Sequence, residues 1–383
     1  NARIEQYVAI SKRSKAKVRK NGSVDFRELG EITAVIPGQK LFRRIPPSQG
    51  KSGKDIMGNE IPGLFGKNIR IVLGKGAAFD ELDPNLVVAA AEGELILKNG
   101  VLHVSEVHEV PGDVDYSTGN LKFLGSILIK GSVRSGFRIE AGGNVQINGN
   151  VEDAAVLAEC DVSVLGGFAG TGQGLIRAGN DVFIKFVENQ NVDAGRDIIL
   201  TGVSYHSRLR AGRSILAKSG AGAIVGGSSE AKHSVEAARF GSVACTPTII
   251  KVGIDPTLSE RLKCIEEEIE KIRKTNEKLE QSVIFLYKLK IDNNGRLPPD
   301  KAALLEKLEA ARKNLPKRLE ILEEQKNAAL HEQVSVESAY AIAETGVFPK
   351  VKVFFGSQWI ANEDSLGPSV YKIFEGDVIR LSK

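Results

Sequence analysis

A short motif of apolar, small and turn-forming residues recurs through the middle of the chain. Each copy has alanine, a turn dipeptide that usually contains glycine, a polar residue and then valine or isoleucine, as in RIEAGGNV at 138–145. Residues 125–133 and 231–243 extend the series, and second glycine turns divide each unit into three strands of about four residues. The alanines of the five clearest copies are spaced by 17, 20, 16 and 17 residues: Ala141, Ala158, Ala178, Ala194 and Ala211.

This repeat predicts a β-solenoid over residues 111–254. A strand of four residues cannot bury its apolar face alone, but coiling the chain stacks equivalent residues into one narrow core. An antiparallel β-domain that contains the strings by chance would not explain their near-constant spacing. A left-handed solenoid would show a strict six-residue period, so we predict a right-handed parallel β-helix. The residues expected to stack are Val145, Val162, Val182, Ile198 and Ile215.

A different period begins at Leu258. Apolar residues then recur at alternating spacings of four and three as far as Leu286, which predicts a heptad seam. After the turn-rich residues 292–300, a second helix with a similar stripe, including Leu304 and Leu308, is expected to run to about 333, with a kink at Pro316. We predict an antiparallel coiled-coil hairpin over 255–333; pairing of the seam with another protomer is the alternative.

Alternating apolar residues return after the helices, so the hairpin is predicted to be inserted in one β-structure. Residues 334–383 would complete that structure. Residues 1–110 are rich in strand and turn signals but lack the repeat, and they predict a separate N-terminal β-rich domain. The sequence starts inside a strand-like pattern, so we expect this domain to be truncated at its start.

Composition narrows the class of protein without defining a function. The 52 basic and 48 acidic residues nearly balance, which argues against nucleic acid as the main partner. In the densest basic stretch, residues 12–20, basic residues alternate with small ones, as expected for the solvent-exposed face of a strand. Three scattered cysteines indicate a reduced, cytoplasmic environment and no structural zinc site, and no apolar run is long enough to span a membrane.

Gly50, Lys51 and Ser52 resemble the end of a nucleotide-binding phosphate loop. That motif needs glycine five residues before Gly50, where Ile45 stands, and it needs backbone N–H groups that Pro46 and the following proline lack. The residues that follow are too turn-rich to open a helix. We therefore interpret this stretch as a series of turn glycines, and we predict no cofactor.

The carboxylates of the repeat raise the question of a metal-dependent lyase. Asp161, Asp181 and Asp197 occupy one repeat position, which Asn144 and Ser214 fill in other coils. A turn-stabilising hydrogen bond explains all three residue types, so we predict no metal site and no catalytic residue.

His206 is the histidine best placed for a binding role. It follows Tyr205 and precedes Arg208 at a predicted turn of the solenoid, but no nearby acid orients it and Ser207 is poorly placed as a nucleophile. Tyr205, His206 and Arg208 form one candidate interaction site. Asn293 and Asn294, at the predicted tip of the helical arm, form a second candidate.

Several strings in one order resemble the flagellar assembly protein A (FapA) family. They lie at 22–41, 46–61, 112–133, 186–198, 223–227 and 347–353, with the helical insertion between the last two. Residues 132–170 also resemble the C-terminal β-helix domain of the division inhibitor MinC, which binds other proteins. The resemblance implies a β-helix that acts in flagellar assembly or polar placement through protein contacts, and it offers no catalytic residues.

We therefore predict a non-enzymatic cytoplasmic scaffold or adaptor, located at the cell pole in the manner that the family implies. Its partners would be polar or flagellar assembly proteins and further copies of itself, because open ends of a solenoid invite association. The alternative is a β-helix enzyme, either similar to polysaccharide lyases or dependent on a nucleotide.

Overall fold

The computed structural model describes residues 1–8, 17–18, 24–25, 27, 32–218, 222–292, 298–331 and 338–382. Most of the basic stretch at 12–20 lies outside these ranges, as do Asn293 and Asn294 of the predicted arm tip. The described chain consists mainly of strands, with two long helices between the strands of one large sheet.

The first hundred residues form short strands arranged in two four-stranded sheets and two hairpins. The sheet orders are β1-β5-β10-β9 and β4-β11-β12-β8, and the two-stranded sheets are β2-β3 and β6-β7. A small core lies between them, with Leu41, Val87 and Leu95 almost fully buried. The bounds are β1 (Arg3–Gln6), β2 (Lys17–Val18), β3 (Val24–Asp25), β4 (Ala34–Val35), β5 (Lys40–Ile45), β6 (Gly53–Lys54), β7 (Glu60–Ile61), β8 (Val72–Leu73), β9 (Ala77–Phe79), β10 (Leu86–Ala89), β11 (Gly93–Lys98) and β12 (Val101–Ser105).

Parallel strands then stack into the faces of a solenoid. The first face consists of β13 (Val107–Val110), β15 (Ser126–Ile129), β17 (Val145–Ile147), β19 (Val162–Ala169), β21 (Val182–Glu188), β23 (Asp197–Leu200), β25 (Ser214–Ala217), β27 (Ser234–Phe240) and β29 (Tyr340–Val347). The second consists of β14 (Leu121–Phe123), β16 (Arg138–Ala141), β18 (Ala155–Ala158), β20 (Leu175–Ala178), β22 (Asn191–Ala194), β24 (Val203–Ala211), β26 (Ala223–Ala231), β28 (Thr248–Val252) and β30 (Val351–Phe355).

A third face completes each coil. In the early coils it is reduced to single bridged residues, such as Val133 and Val151, and in later coils the long strands supply it. The predicted three-sided coil is therefore confirmed, but its sides are not three separate strands of about four residues: the third is a single bridge in early coils and part of a longer strand in later ones. The stack of buried residues on this face is Val114, Val133, Val151, Phe168, Val187, Ser204, Ile224, Phe240 and Val347.

The predicted stacking of repeat residues is also confirmed. Val145 pairs with Val162, which pairs with Val182, and the series continues through Ile198 to Ile215. The repeat alanines stack on the second face from Ala141 to Ala231, each of them buried, with Phe123 before them and Val252 after them. The handedness of the coil stays a prediction.

The solenoid is longer than the predicted range of 111–254. Its first parallel strand begins at Val107, and β29 and β30 add a coil after the helices by pairing in parallel with β27 and β28. The two helices are thus inserted between strands of one stack, as the return of alternating apolar residues suggested. The division of the chain into four units at 110, 254 and 333 stays a prediction.

The C-terminal end of the stack is covered, contrary to our expectation of an open edge. On the first and second faces, antiparallel strands cover β29 and β30. On the third face, Val347 bridges Leu366 in antiparallel fashion. The alternating pattern of these residues gave no sign of the change from parallel to antiparallel pairing. The closing strands are β31 (Gln358–Asn362), β32 (Ser369–Phe374) and β33 (Asp377–Ser382).

The two helices are α1 (Pro256–Asp292) and α2 (Pro299–His331), and α2 continues through Pro316. Near the solenoid, the α1 isoleucines pack against leucines late in α2, and farther out Val283 and Leu286 pack against Leu305 near the start of α2. This order of contacts makes the helices antiparallel. Leu305 is a buried residue that the predicted stripe missed. The residues that join the helices lie outside the described ranges, so the complete hairpin stays a prediction.

Candidate functional site at the His206 corner

His206 lies where β24 turns from the third face of the solenoid to the second. Its φ angle is 47°, and the equivalent residues of neighbouring coils, Asn189 and Gly226, have φ angles of 52° and 71°. Non-glycine residues rarely adopt this left-handed conformation, and such residues cluster at functional sites. The predicted turn is therefore a tight corner inside a continuous strand, and it directs the His206 side chain outward.

A buried hydrogen-bond network fixes this corner from inside. The Ser207 hydroxyl donates to the carbonyl oxygen of Tyr205 at 2.6 Å and accepts the backbone N–H of Gln190 at 3.2 Å. The Gln190 side-chain amide donates to Asp153 at 2.6 Å, and its oxygen accepts the N–H of Gly174 at 2.9 Å. Because these polar groups hold one another, the corner is a preorganised surface.

His206 and Arg208 line one open groove of about 400 Å³, together with Asn189, Asn191 and Ile249. Both side chains are exposed, and the imidazole lies against Gly226, where an added Cβ would come within 2.6 Å of its Nδ1. Among the described residues that line the groove, Arg208 is the only one with a permanent charge. The arrangement suits recognition of a polar or acidic segment.

The described residues that line the groove do not form a nucleophilic site. The His206 ring makes no hydrogen bond within the described ranges, and Ser207 is buried with its hydroxyl committed to the backbone. Tyr205 does not line the groove; its side chain lies on the third face and is 41% exposed. The structure thus brings together two of the three residues predicted here.

The repeat carboxylates form a ladder between coils, which confirms the hydrogen-bond hypothesis. Asp161 accepts the backbone N–H of Asp181, Asp181 accepts that of Asp197, and Asp197 accepts that of Ser214, each at 3.1 Å. Asn144 makes the equivalent bond in the preceding coil, where it accepts the N–H of Asp161 at 3.0 Å. Burial alone would raise the pKa of Asp181, but hydrogen bonds from Arg196 and the next coil lower it overall.

A second charged row, on the outer surface of the second face, was not predicted. The residue before each repeat alanine pairs with its equivalents, and the signs alternate through Arg177, Asp193, Arg210, Glu230 and Lys251. Arg177 and Arg210 bind Asp193 at 3.0 and 2.6 Å. This cluster borders a cavity of about 270 Å³ beside Pro256, where α1 begins. The row could have been predicted from the sequence, because the sign of the charge alternates at this one repeat position.

The stretch that resembled a phosphate loop forms turns and a β6–β7 hairpin. Asp55 accepts the N–H groups of Met57 and Asn59 in the turn between these strands, and none of residues 46–65 is helical. No group of three or more His, Cys, Asp or Glu side chains that could hold a metal ion is found in the segment of the chain that the structure describes.

Two buried serines allow the role of the corner network to be measured. Ser207→Ala leaves the Gln190 N–H without its partner, so we expect a loss of about 1–2 kcal/mol of unfolding free energy. The Ser229 hydroxyl has no hydrogen-bond partner among the described residues, so Ser229→Ala should be neutral or stabilising by about 1 kcal/mol. Thermal unfolding midpoints compare the two. Equal destabilisation by both would contradict a specific role for Ser207.

The protein is a three-sided parallel β-solenoid with two inserted helices. Its repeat carboxylates hold neighbouring coils together through hydrogen bonds. Residues 106–378 match the family model described as the Flagellar Assembly Protein A beta solenoid domain, and residues 1–100 match its N-terminal region. The chain therefore belongs to the flagellar assembly protein A family, as its sequence indicated. No curated protein and no solved structure matches it. None of the described helices is long and apolar enough to cross a bilayer.

Proposed function

We propose that the protein is a non-enzymatic scaffold that organises other proteins during flagellar assembly, in the cytoplasm at the cell pole. The family description supports the flagellar context. The carboxylate ladder is the observation that carries the scaffold role. A β-helix enzyme would use carboxylates such as Asp161, Asp181 and Asp197 for chemistry. In this protein they accept backbone N–H groups of the next coil.

The contact sites follow from the regions of the surface that are polar, fixed and exposed. We propose that His206 and Arg208 contact an acidic segment of a partner, because the groove is positively charged and its corner is preorganised. Tyr205, exposed on the adjoining face, would extend this contact. Asn293 and Asn294 remain a proposed contact at the end of the arm.

Genetic complementation tests the function. We expect a cell that lacks the gene to have missing or misplaced flagella, and the full chain to restore them. A chain in which residues 257–337 are replaced by a short Gly-Ser linker, or one carrying H206A and R208A, should fold but restore them poorly. Electron microscopy counts and locates the flagella, and circular dichroism checks the fold. Normal flagella in the deletion strain would overturn the proposal.

Ligand binding distinguishes the scaffold from an enzyme. Millimolar nucleotides, Mg²⁺ or Ca²⁺ should leave the thermal unfolding midpoint within about 1 °C of the protein alone, because a ligand that binds only the native state raises it. A clear rise with one nucleotide or metal, abolished by changing nearby residues, would favour the enzyme alternative.

A further inference from the structure

The outer half of α1 carries large apolar side chains that remain exposed in the part of the chain that the structure describes. Ile284, Phe285 and Ile291 are 55%, 62% and 74% exposed, although the neighbouring Val283 and Leu286 are buried against α2. Ile284 and Ile291 are one heptad apart and therefore lie on one side of the helix. We call the surface formed by Ile284, Phe285 and Ile291 the outer stripe.

The inner half of the arm is different. Among the described side chains, ion pairs join the helices there: Arg273–Glu323 at 3.3 Å, Arg318–Glu268 at 2.6 Å and Lys326–Glu266 at 2.7 Å. The outer stripe begins about 40 Å along α1 from Pro256, since an α-helix rises about 1.5 Å per residue. It is therefore far enough from the solenoid for another helix to approach it.

The charges beside the stripe are self-complementary. Glu280 precedes Ile284 by four residues and Lys288 follows it by four, so both flank Ile284 on the same side of α1. Neither forms an ion pair within the described chain. A two-fold axis through Ile284 would place Glu280 of each copy opposite Lys288 of the other, and would bring the two Ile284 side chains together.

We propose that two copies of this chain associate through the outer stripe, with their α1 helices antiparallel and centred on Ile284. An isologous interface uses the same surface on both copies, so that surface must be complementary to itself. The order Glu280, Ile284, Lys288 meets this requirement. The apolar area is small, so the association is weak and depends on concentration. It is a property of the arm and does not depend on the proposed role in flagellar assembly.

Charge exchange tests both the partner and the register. Sedimentation equilibrium of the full chain should show dimers that E280K and K288E each weaken by about tenfold or more, because each variant places like charges opposite each other twice. The double variant should recover the original affinity. A mixture of the two single variants should form heterodimers, since one then carries only Lys at both positions and the other only Glu.

Glu324→Lys, an equal charge change at an exposed position of α2, is the control and should leave the association unchanged. Circular dichroism confirms that each variant keeps its helix content. A chain that is monomeric at all concentrations, or dimers insensitive to E280K and K288E, would overturn the proposal. So would binding to phosphatidylglycerol vesicles that I284S abolishes without any dimerisation, which would make the stripe a membrane contact.

Discussion

Gly195→Ala is expected to destabilise the solenoid by about 3 kcal/mol, although the substitution adds only one methyl group. The new Cβ would lie 1.9 Å from the carbonyl oxygen of Gly179 in the preceding coil, and Gly195 itself lies beneath Gly212 in the same way. The backbone atoms of Gly179 cannot rotate away as a flexible side chain would. The coils would have to separate, which weakens the bond from the Gly195 N–H to Ala178.

Thermal and urea unfolding midpoints measure this effect. Gly112→Ala is the matched control, because an added Cβ there meets no atom within 4 Å, and it should change the midpoints little. The close approach is local: Glu159, at the equivalent position one coil before Gly179, already carries a side chain. Equal unfolding midpoints for Gly195→Ala and Gly112→Ala would contradict the prediction. They would show that the coils can accommodate a methyl group at residue 195.

The solenoid could be predicted from the sequence because each coil repeats the same physical requirement. The alanine stack and the stack that contains Val145 occupy narrow inner positions, so the same small or β-branched residues recur at nearly constant spacing. The carboxylate ladder was predictable for the same reason, since Asp, Asn and Ser can all accept a backbone N–H.

The N-terminal sheets could not be predicted in the same way. Ala34 pairs with Glu94, and Leu73 pairs in parallel with Leu102, although no repeat links these segments. Strands of two to six residues carry too short a pattern to define such partners. The groove at His206 was only partly predicted, because the direction of Tyr205 depends on a left-handed residue that sequence alone does not reveal.

Asp193→Asn is the second substitution with a large expected effect, and its effect should depend on pH. Burial alone would raise the pKa of Asp193, but hydrogen bonds and charges from Arg210 and Arg177 hold it below its ordinary value. The carboxylate therefore stabilises the folded protein at neutral pH. That contribution is lost as the pH falls from about 4, the ordinary value for aspartate, through the lower pKa of the folded state.

At pH 7 we expect Asp193→Asn to cost about 2 kcal/mol. Removing one member of a buried ion pair costs more than this, but the exposed Arg177 side chain retains its contact with water. As the pH falls below about 4, the carboxyl is protonated in the unfolded state before it is in the folded state, so the difference between the two proteins should shrink toward about 1 kcal/mol near pH 3. Urea unfolding midpoints at several pH values follow this change.

Asp161→Asn is the matched control, because Asn144 accepts the same kind of backbone N–H one coil earlier with an amide oxygen. We expect its effect to be small at both pH values, since a neutral acceptor can keep the ladder intact. If Asp193→Asn loses the same stability at every pH, the charged row on the second face of the solenoid acts through side-chain packing. If the loss of stability shrinks in acid for Asp193→Asn but not for the control, charge is the attraction between Asp193 and the two arginines. That attraction then holds three consecutive coils together beside the start of α1.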